Sequence, residues 1–286
     1  ANRKMIEPLC VSAHSVAESV RAERPVTIWV LQQEFSPADE TRLKTTLRPF
    51  PNVRLEVHPI DLSAFRGVKG LHGDAMTFAR ILLPDRMADQ ARRIVYLDAD
   101  TLAVGGVEDL FDTSLEGCTI GAVSYEPLGA SMEADFYRAQ GVDLDQDGFN
   151  AGVMAIDVER WRKQSRTDEI VERVRAADQE RTESDQPFLN VAFHDDFRPL
   201  RIRYNKRASP DQRLTAEQAA DGILHFVGIP KPWDIGGKWL HKNYTLYEEC
   251  RRQASVVPRS VPEIVRDDGV GRVAKGIVSG LRATMG

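Results

Sequence analysis

The sequence predicts an α/β protein, in which helices flank a mixed and mostly parallel sheet. Short apolar and β-branched runs alternate with segments of helical periodicity, which is the pattern of strands joined by crossover helices. A chain of 286 residues with 42% hydrophobic residues is also long enough to bury a sizeable core. We therefore expect one large α/β domain followed by a C-terminal tail.

The elements follow in order along the chain. An amphipathic helix is predicted over 7–20, and a β-branched and aromatic strand, "VTIWVL", over 26–31. Ser36, Pro37 and Glu40 form a start signal for a helix over 36–47. Further strands are predicted at 53–58, 94–97, 119–124, 152–157, 200–204 and 223–228, and further helices at 74–87, 166–177 and 184–194.

Composition excludes several classes of protein. The net charge of -5 and the lack of a long basic run predict no nucleic-acid partner. The three cysteines are scattered, which is typical neither of a zinc site nor of a disulfide framework. No apolar run has the length of a membrane span, and the start does not resemble a signal peptide, so we expect a cytoplasmic protein.

The stretch "RRIVYLDADTLAVGG" carries two carboxylates directly after an apolar strand. Residues i and i+2 of a strand point the same way, so Asp98 and Asp100 converge on one point if the strand persists. Two converging carboxylates favour a bound cation. The alternative is a solvated turn, because aspartate is common in turns.

A second acidic stretch, "DLDQDGFN" at 143–150, matches the opening of a calcium loop. The match then fails, because Asn150 stands at the eighth position and Met154 stands where a bidentate glutamate is needed. We therefore expect no calcium site here.

The stretch "GILHFVGIPKPWD" at 222–234 combines three residue types that suit a phosphate and metal site. His225 offers an imidazole, Gly228 permits close approach of the backbone, and Lys231 supplies a point charge. The alternative is a core histidine followed by a solvated lysine.

Four motifs, in the order "YLDADTLAVGGVEDLF", "FNAGVMAIDVERWR", "ESDQPFLN" and "LHFVGIPKPWD", resemble the retaining glycosyltransferases of family eight. The similarity spans roughly residues 1–245. It implies the GT-A nucleotide-diphospho-sugar transferase fold over residues 1–250. The tail lies outside the similarity, and proline, charge and glycine after Ser255 predict a linker and helical tail over 251–286. It also implies a divalent cation, usually Mn²⁺ (or Mg²⁺), and a UDP-hexose donor.

The resemblance implies roles for individual residues. Asp98, Asp100 and His225 look like the metal ligands. The positions similar to donor diphosphate contacts are His72, Gly228 and Lys231, and Ala99 is a further donor-binding candidate. Arg80 resembles an arginine near the donor sugar, and the positions that line that sugar are Asn150, Ala151, Asp185 and Gln186. Arg80, Asp185 and Gln186 are the catalytic candidates. The structural alternatives are a helix-surface residue for Arg80, a turn former for Asn150 and a helix cap for Asp185.

The start of the chain departs from the family pattern. Members normally open with a short apolar strand and an acidic or asparagine-containing turn that holds the nucleoside, whereas this sequence starts at "ANRKMIEP". We expect either that this first strand lies outside the sequence or that the nucleoside contacts differ.

The function implied is metal-dependent transfer of glucose or galactose from a UDP-sugar to a saccharide or glycolipid acceptor of the lipopolysaccharide type. The alternatives are a nucleotidyltransferase and a non-catalytic sugar-nucleotide or glycan-binding protein. The tail at 270–286 has Val273, Ile277 and Leu281 at helical spacing beside basic residues, a pattern that is compatible with peripheral contact with an anionic membrane. A packed or disordered terminus is the alternative there.

Overall fold

A computed structural model describes residues 1–68, 70, 74–177 and 184–269. These residues form two compact units. Unit 1 contains Ala1–Pro59, Asp98–Glu108 and the described residues from Arg203 onward, and unit 2 contains Ile60–Leu97 and Asp109–Ile202.

The strands are short and are distributed over both units. They are β1 Val26–Gln32, β2 Val53–Pro59, β3 Arg93–Leu97, β4 Thr101–Ala103, β5 Ile120–Pro127, β6 Asp147–Asp157, β7 Phe197–Pro199, β8 Lys206–Arg207 and β9 Ile223–His225.

The α-helices lie between and after these strands. They are α1 Ile6–Ser19, α2 Pro37–Leu47, α3 Ala79–Arg86, α4 Val107–Asp112, α5 Ala134–Ala139, α6 Val158–Lys163, α7 Arg166–Ala176, α8 Gln186–Phe193, α9 Ala216–Ala219, α10 Gly237–Leu240, α11 Tyr244–Gln253 and α12 Val261–Asp268.

Unit 1 contains two small sheets. Strands β1 and β2 pair in parallel, while β9 pairs antiparallel with β4 and parallel with β8. Helix α2 begins at the predicted signal, with Ser36 and Asp39 forming a capping box. The core includes α1 residues together with Leu224 and Phe226, which flank the strand end that carries His225.

Unit 2 is built on a four-stranded sheet of order β3-β6-β5-β7. The central strand β6 is antiparallel to both β3 and β5, and β7 is parallel to β5. Trp161, Phe188 and Phe193 are fully buried around this sheet. The sheet fixes Asn150 and Ala151, which lie on β6, relative to the N-terminus of α8.

The predicted α/β fold class, with a mixed sheet flanked by helices, is confirmed. Among the described residues, three strand pairings are parallel and three are antiparallel. The fraction of parallel pairings is therefore lower than in the mostly parallel sheet predicted from the sequence. The alternation of apolar runs with helical segments identifies the strands and helices. Which strands become neighbours is decided by packing between residues far apart in the chain.

The strand predicted at 200–204 was wrong. Ile202–Tyr204 forms a 3-10 helix, and Ile202 is 54% exposed. Arg203 turns to pair with Asp221, with Nη2 and Oδ1 3.0 Å apart. The alternation of apolar and basic residues therefore does not bury one face of a strand here.

The C-terminal part of the described chain packs into unit 1. Val256 lies in the core, and Glu7 on α1 accepts hydrogen bonds from Tyr247 Oη at 3.0 Å and from the backbone N of Arg259 at 2.7 Å. The domain boundary near residue 250 stays a prediction. No helix among the described residues has the length and apolar character needed to cross a membrane, and the tail at 270–286 lies outside them.

Candidate active site

The two aspartates of the "DAD" stretch lie in a turn. Strand β3 ends at Leu97, and Thr101 closes the turn by donating both its backbone N, at 3.1 Å, and its Oγ1, at 2.8 Å, to the carbonyl of Asp98. The strand therefore does not persist through Asp98 and Asp100. The carboxylates nevertheless converge, because the turn folds them together.

Asp98, Asp100 and His225 form a group that we call the cation group. Each offers one ligand atom, and these atoms all lie within 4.8 Å of one another. Strand pairing places His225 opposite Thr101, and the backbone N of Phe226 donates to the carbonyl of Asp100 at 3.0 Å. A cation about 2.0–2.2 Å from oxygen and nitrogen ligands needs those ligands at this mutual spacing.

Lys231 supplies a positive charge to the cation group. Its Nζ lies 2.7 Å from Asp100 Oδ2 and also donates to the carbonyl of Phe226. Burial raises the pKa of the Asp100 carboxyl, but the charges and hydrogen bonds of Lys231 and His225 outweigh that effect and hold the pKa below its ordinary value. Asp100 is therefore a carboxylate at neutral pH.

His225 is buried, and both of its ring nitrogens have neighbours. Nε2 lies 3.3 Å from Asp100 Oδ1, and Nδ1 lies 3.1 Å from Oδ1 of the buried Asn205. An amide oxygen only accepts hydrogen bonds, so Nδ1 is the donor. Nε2 therefore faces the carboxylates, and this set of two carboxylates and one imidazole fits Mn²⁺ or Mg²⁺.

Gly228 lies in the loop between His225 and Lys231. Its φ of +74° is left-handed, and an added Cβ would lie 3.3 Å from Pro210 Cδ. A side chain is strained there, so the backbone requires glycine. The loop is also closed by Asp234, whose Oδ2 accepts from the backbone N of Lys231 at 2.7 Å.

Unit 2 holds a second group, Arg80, Asp185 and Gln186, which we call the arginine group. Arg80 Nε lies 2.7 Å from Asp185 Oδ2, with the two side chains 7% and 3% exposed. The guanidinium also donates to the carbonyl of Ala151 at 2.6 Å, and its Cζ lies 4.7 Å from the centre of the Tyr96 ring. Arg80 is thus buried rather than on a helix surface. Asp185 occupies the position before α8 without making a capping bond.

Gln186 connects α8 to β6. Its Oε1 accepts hydrogen bonds from Asn150 Nδ2 at 3.0 Å and from the backbone N of Ala151 at 3.2 Å. Asn150 Oδ1 in turn accepts from the backbone N of Gly152 at 3.0 Å. The structure therefore brings together the predicted residues Arg80, Asn150, Ala151, Asp185 and Gln186. Their roles stay predictions.

The remaining sequence predictions have different outcomes. Ala99 lies in the turn between the two aspartates, whereas His72 lies outside the described residues. The acidic stretch at 143–150 runs into β6 at Asp147 and contributes to no metal-ligand cluster in the part of the chain that the structure describes.

Sequence reasoning missed two residues that support the groups. Asn205 contacts His225, and Tyr96 lies against Arg80. Asn205 belongs to none of the quoted motifs, and Tyr96 opens the "YLDADTLAVGGVEDLF" motif without being a residue type that holds a metal there. The only signal for Asn205 is a polar residue placed beside a predicted strand, which is too common to single out.

Comparison with known proteins identifies the family. The sequence model described as Glycosyl transferase family 8 matches residues 1–235, and the chain belongs to this family. General stress protein A of Bacillus subtilis (strain 168) is 28% identical over 247 residues, covering 80% of this chain and 84% of that protein. The lipopolysaccharide 1,3-galactosyltransferase of Salmonella typhimurium is 23% identical over 237 residues, covering 78% and 68%.

A solved structure is similar over nearly the whole chain. It is the galactosyltransferase LgtC in complex with donor and acceptor sugar analogs, with a TM-score of 0.72 and 23% identity. The match covers 93% of this chain and 97% of LgtC. At this identity the likeness establishes the fold, which is the GT-A glycosyltransferase fold. The predicted family and fold are both confirmed.

Proposed function

We propose that the chain transfers glucose or galactose from a UDP-hexose to a saccharide or glycolipid acceptor, with retention at the anomeric carbon and with Mn²⁺ or Mg²⁺ as cofactor. The observation that carries this proposal is the convergence of Asp98, Asp100 and His225 in a member of glycosyltransferase family 8. Such a ligand set matches the need to neutralise a diphosphate.

The cation group, with Lys231 and Gly228, would hold the diphosphate of the donor. A bound divalent cation would neutralise the phosphate charge and make UDP a better leaving group. Lys231 adds a second positive charge, which as an ammonium binds phosphate without a fixed orientation. Because Lys231 contacts Asp100 Oδ2, the ammonium and a cation bound at that oxygen would compete for it.

The arginine group would bind the sugar. The Arg80 guanidinium already forms an ion pair with Asp185 and donates to the carbonyl of Ala151, so its charge is compensated within the group. A compensated group suits a neutral hexose better than a sugar acid, whose carboxylate needs a cation of its own. In this proposal Asp185 orients sugar hydroxyls.

The residues present favour a front-face substitution over a double displacement. Gln186 is a neutral amide whose oxygen already accepts two hydrogen bonds. Asp185 is paired with Arg80, which reduces its nucleophilicity. In the front-face route the departing phosphate helps to deprotonate the acceptor hydroxyl. Gln186 then positions the donor or stabilises the oxocarbenium-like state electrostatically.

The acceptor is proposed from the relatives. The printed name of the Salmonella relative is that of a lipopolysaccharide galactosyltransferase, which supports a glycan of the lipopolysaccharide type. Peripheral membrane contact through residues 270–286 is part of the same proposal. Equal liposome binding by the full chain and by a variant that ends at Ser255 would contradict it.

The test supplies UDP-glucose or UDP-galactose, Mn²⁺ and a panel of saccharide and glycolipid acceptors, and measures UDP release. The anomeric configuration of the product is then read by NMR. We expect UDP release that depends on metal and acceptor, and a retained configuration. Release of pyrophosphate from a nucleoside triphosphate and a sugar phosphate would indicate a nucleotidyltransferase. Donor binding without any transfer would indicate a binding protein.

A further inference from the structure

Asn205 lies directly behind His225 and is completely buried, with 0% exposure. It immediately precedes β8, which pairs in parallel with β9 so that Arg207 lies opposite His225. The backbone N of Ala208 also donates to the carbonyl of His225 at 2.8 Å. Two strands thus hold the Asn205 amide oxygen 3.1 Å from His225 Nδ1.

We propose that Asn205 is a positioning residue for the cation group: its amide oxygen keeps a proton on Nδ1 of His225 and so leaves the lone pair of Nε2 for the metal. The inference rests on the cation site of the proposed function. Beyond that site, the inference names Asn205, which is not a metal ligand, as the residue that selects the tautomer of His225.

The reason lies in the two tautomers of a neutral imidazole, which carries one N–H and one lone pair. With the proton on Nε2, the ring would donate to Asp100 Oδ1, which is 3.3 Å away. His225 and Asp100 would then satisfy each other, and the cation would lose a ligand. Asn205 stabilises the opposite tautomer, because its oxygen only accepts.

Removing such a hydrogen-bond partner of a metal ligand typically weakens metal binding about 10–100-fold. We expect this loss of Mn²⁺ affinity in Asn205→Leu, which keeps the approximate volume without a polar atom. Asn205→Asp retains an oxygen acceptor and is expected to bind Mn²⁺ at least as tightly as the wild type.

The matched control is Asn243→Leu. Asn243 is also a buried asparagine of unit 1, but its side chain bonds to the backbone of Ser209, Gln212 and Leu214. We expect this variant to lose thermal stability without losing Mn²⁺ affinity. Binding of Mn²⁺ to the full chain, with and without UDP, is measured from the electron paramagnetic resonance signal of the free ion. Wild-type affinity in Asn205→Leu would overturn the proposal.

A second measurement needs no substitution of Asn205. In the metal-free wild type with ¹⁵N-labelled histidine, at alkaline pH where the ring is neutral, NMR reports which nitrogen carries the proton. The His225 signals are assigned by their absence in His225→Gln. We expect the proton on Nδ1, and a proton on Nε2 would overturn the proposal even if the chain transfers sugar. A proton on Nδ1 in a chain that transfers no hexose would refute only the proposed function.

Discussion

The cation group and the arginine group each pair a carboxylate with a basic side chain, but they differ in how completely the charge is compensated. Asp185 is 3% exposed and faces one guanidinium, which also donates to the carbonyl of Ala151. Asp100 is 16% exposed and lies beside a second carboxylate, an imidazole and a flexible ammonium. The arginine group is therefore a fixed framework. In the cation group, by contrast, a metal cation can replace the Lys231 ammonium beside Asp100.

The largest effect should come from removing a charge from the cation group. Asp100→Asn is expected to lower metal-dependent turnover about 1000-fold, equal to about 4 kcal/mol in activation free energy, because a carboxylate ligand is lost. The Asp100 and Lys231 side chains are 16% and 17% exposed, so the ammonium that loses its partner can still contact water, and the fold should persist. Kinetics and circular dichroism measure the two quantities. Full activity would refute the metal assignment.

Replacing the aspartate of the arginine group by asparagine should mainly lower the free energy of unfolding. Asp185→Asn leaves the Arg80 charge buried without its counter-ion, which is expected to lower the free energy of unfolding by about 3 kcal/mol or more. Denaturant titration measures this loss. The double variant Arg80→Met with Asp185→Asn should recover part of it. If Asp185→Asn is no less stable than Asp100→Asn, the two groups do not differ as described.

Lys231→Met tests whether the Lys231 ammonium and a metal cation compete for Asp100. Removing the ammonium from Asp100 should raise the affinity for Mn²⁺ alone about tenfold, equal to about 1.4 kcal/mol. The affinity for UDP in the presence of Mn²⁺ should fall, since a phosphate partner is lost. Isothermal titration measures both affinities. Lys238→Met is the control, because it removes the same single positive charge at another position. A fall in both affinities would show that Lys231 does not compete with the cation.

Gln186→Ala tests whether Gln186 serves as part of the framework and takes no part in a covalent step. The variant loses hydrogen bonds to Asn150 and to the backbone of Ala151, each worth about 1 kcal/mol. We expect kcat to fall by less than about tenfold, because no covalent step depends on the amide. A glycosyl adduct on Asp185, found by mass spectrometry on a pathway competent for turnover, would contradict this and restore double displacement.

The smallest effect concerns His241. Burial, and to a lesser extent the positive charge of Lys231, lower its pKa to about 4. The unfolded chain then binds more protons than the folded chain below about pH 6.5, so His241 makes stability fall as the pH drops from there towards 4. In Lys231→Met the pKa of His241 should rise but stay below 6.5, because burial remains. NMR titration measures the shift.

Much of the framework was predictable because it depends on local patterns. Short β-branched and apolar runs located β1 and β2, helical periodicity located α7, and the Ser36 signal located the start of α2. The strand predicted at 200–204 failed, since Ile202 remains exposed. Strand neighbours were also not predictable, because pairing depends on residues far apart in sequence.

The candidate site was predictable as a set of residues but not as a geometry. Asp98, Asp100 and His225 were identified from motifs, yet the turn closed by Thr101, rather than a strand, brings the carboxylates together. Asn205 was missed because a hydrogen bond to a distant histidine leaves no local pattern.

The sequence by itself determined the family, the α/β class and which residues carry charge, since these are properties of composition, periodicity and motif order. Only the tertiary structure decided how the charges are compensated. Arg80 and Asp185 are far apart in the chain, as are Asp100 and Lys231, and each pair meets through the packing of its own unit. Electrostatic interactions depend on distance and burial, and neither can be read from positions along the chain.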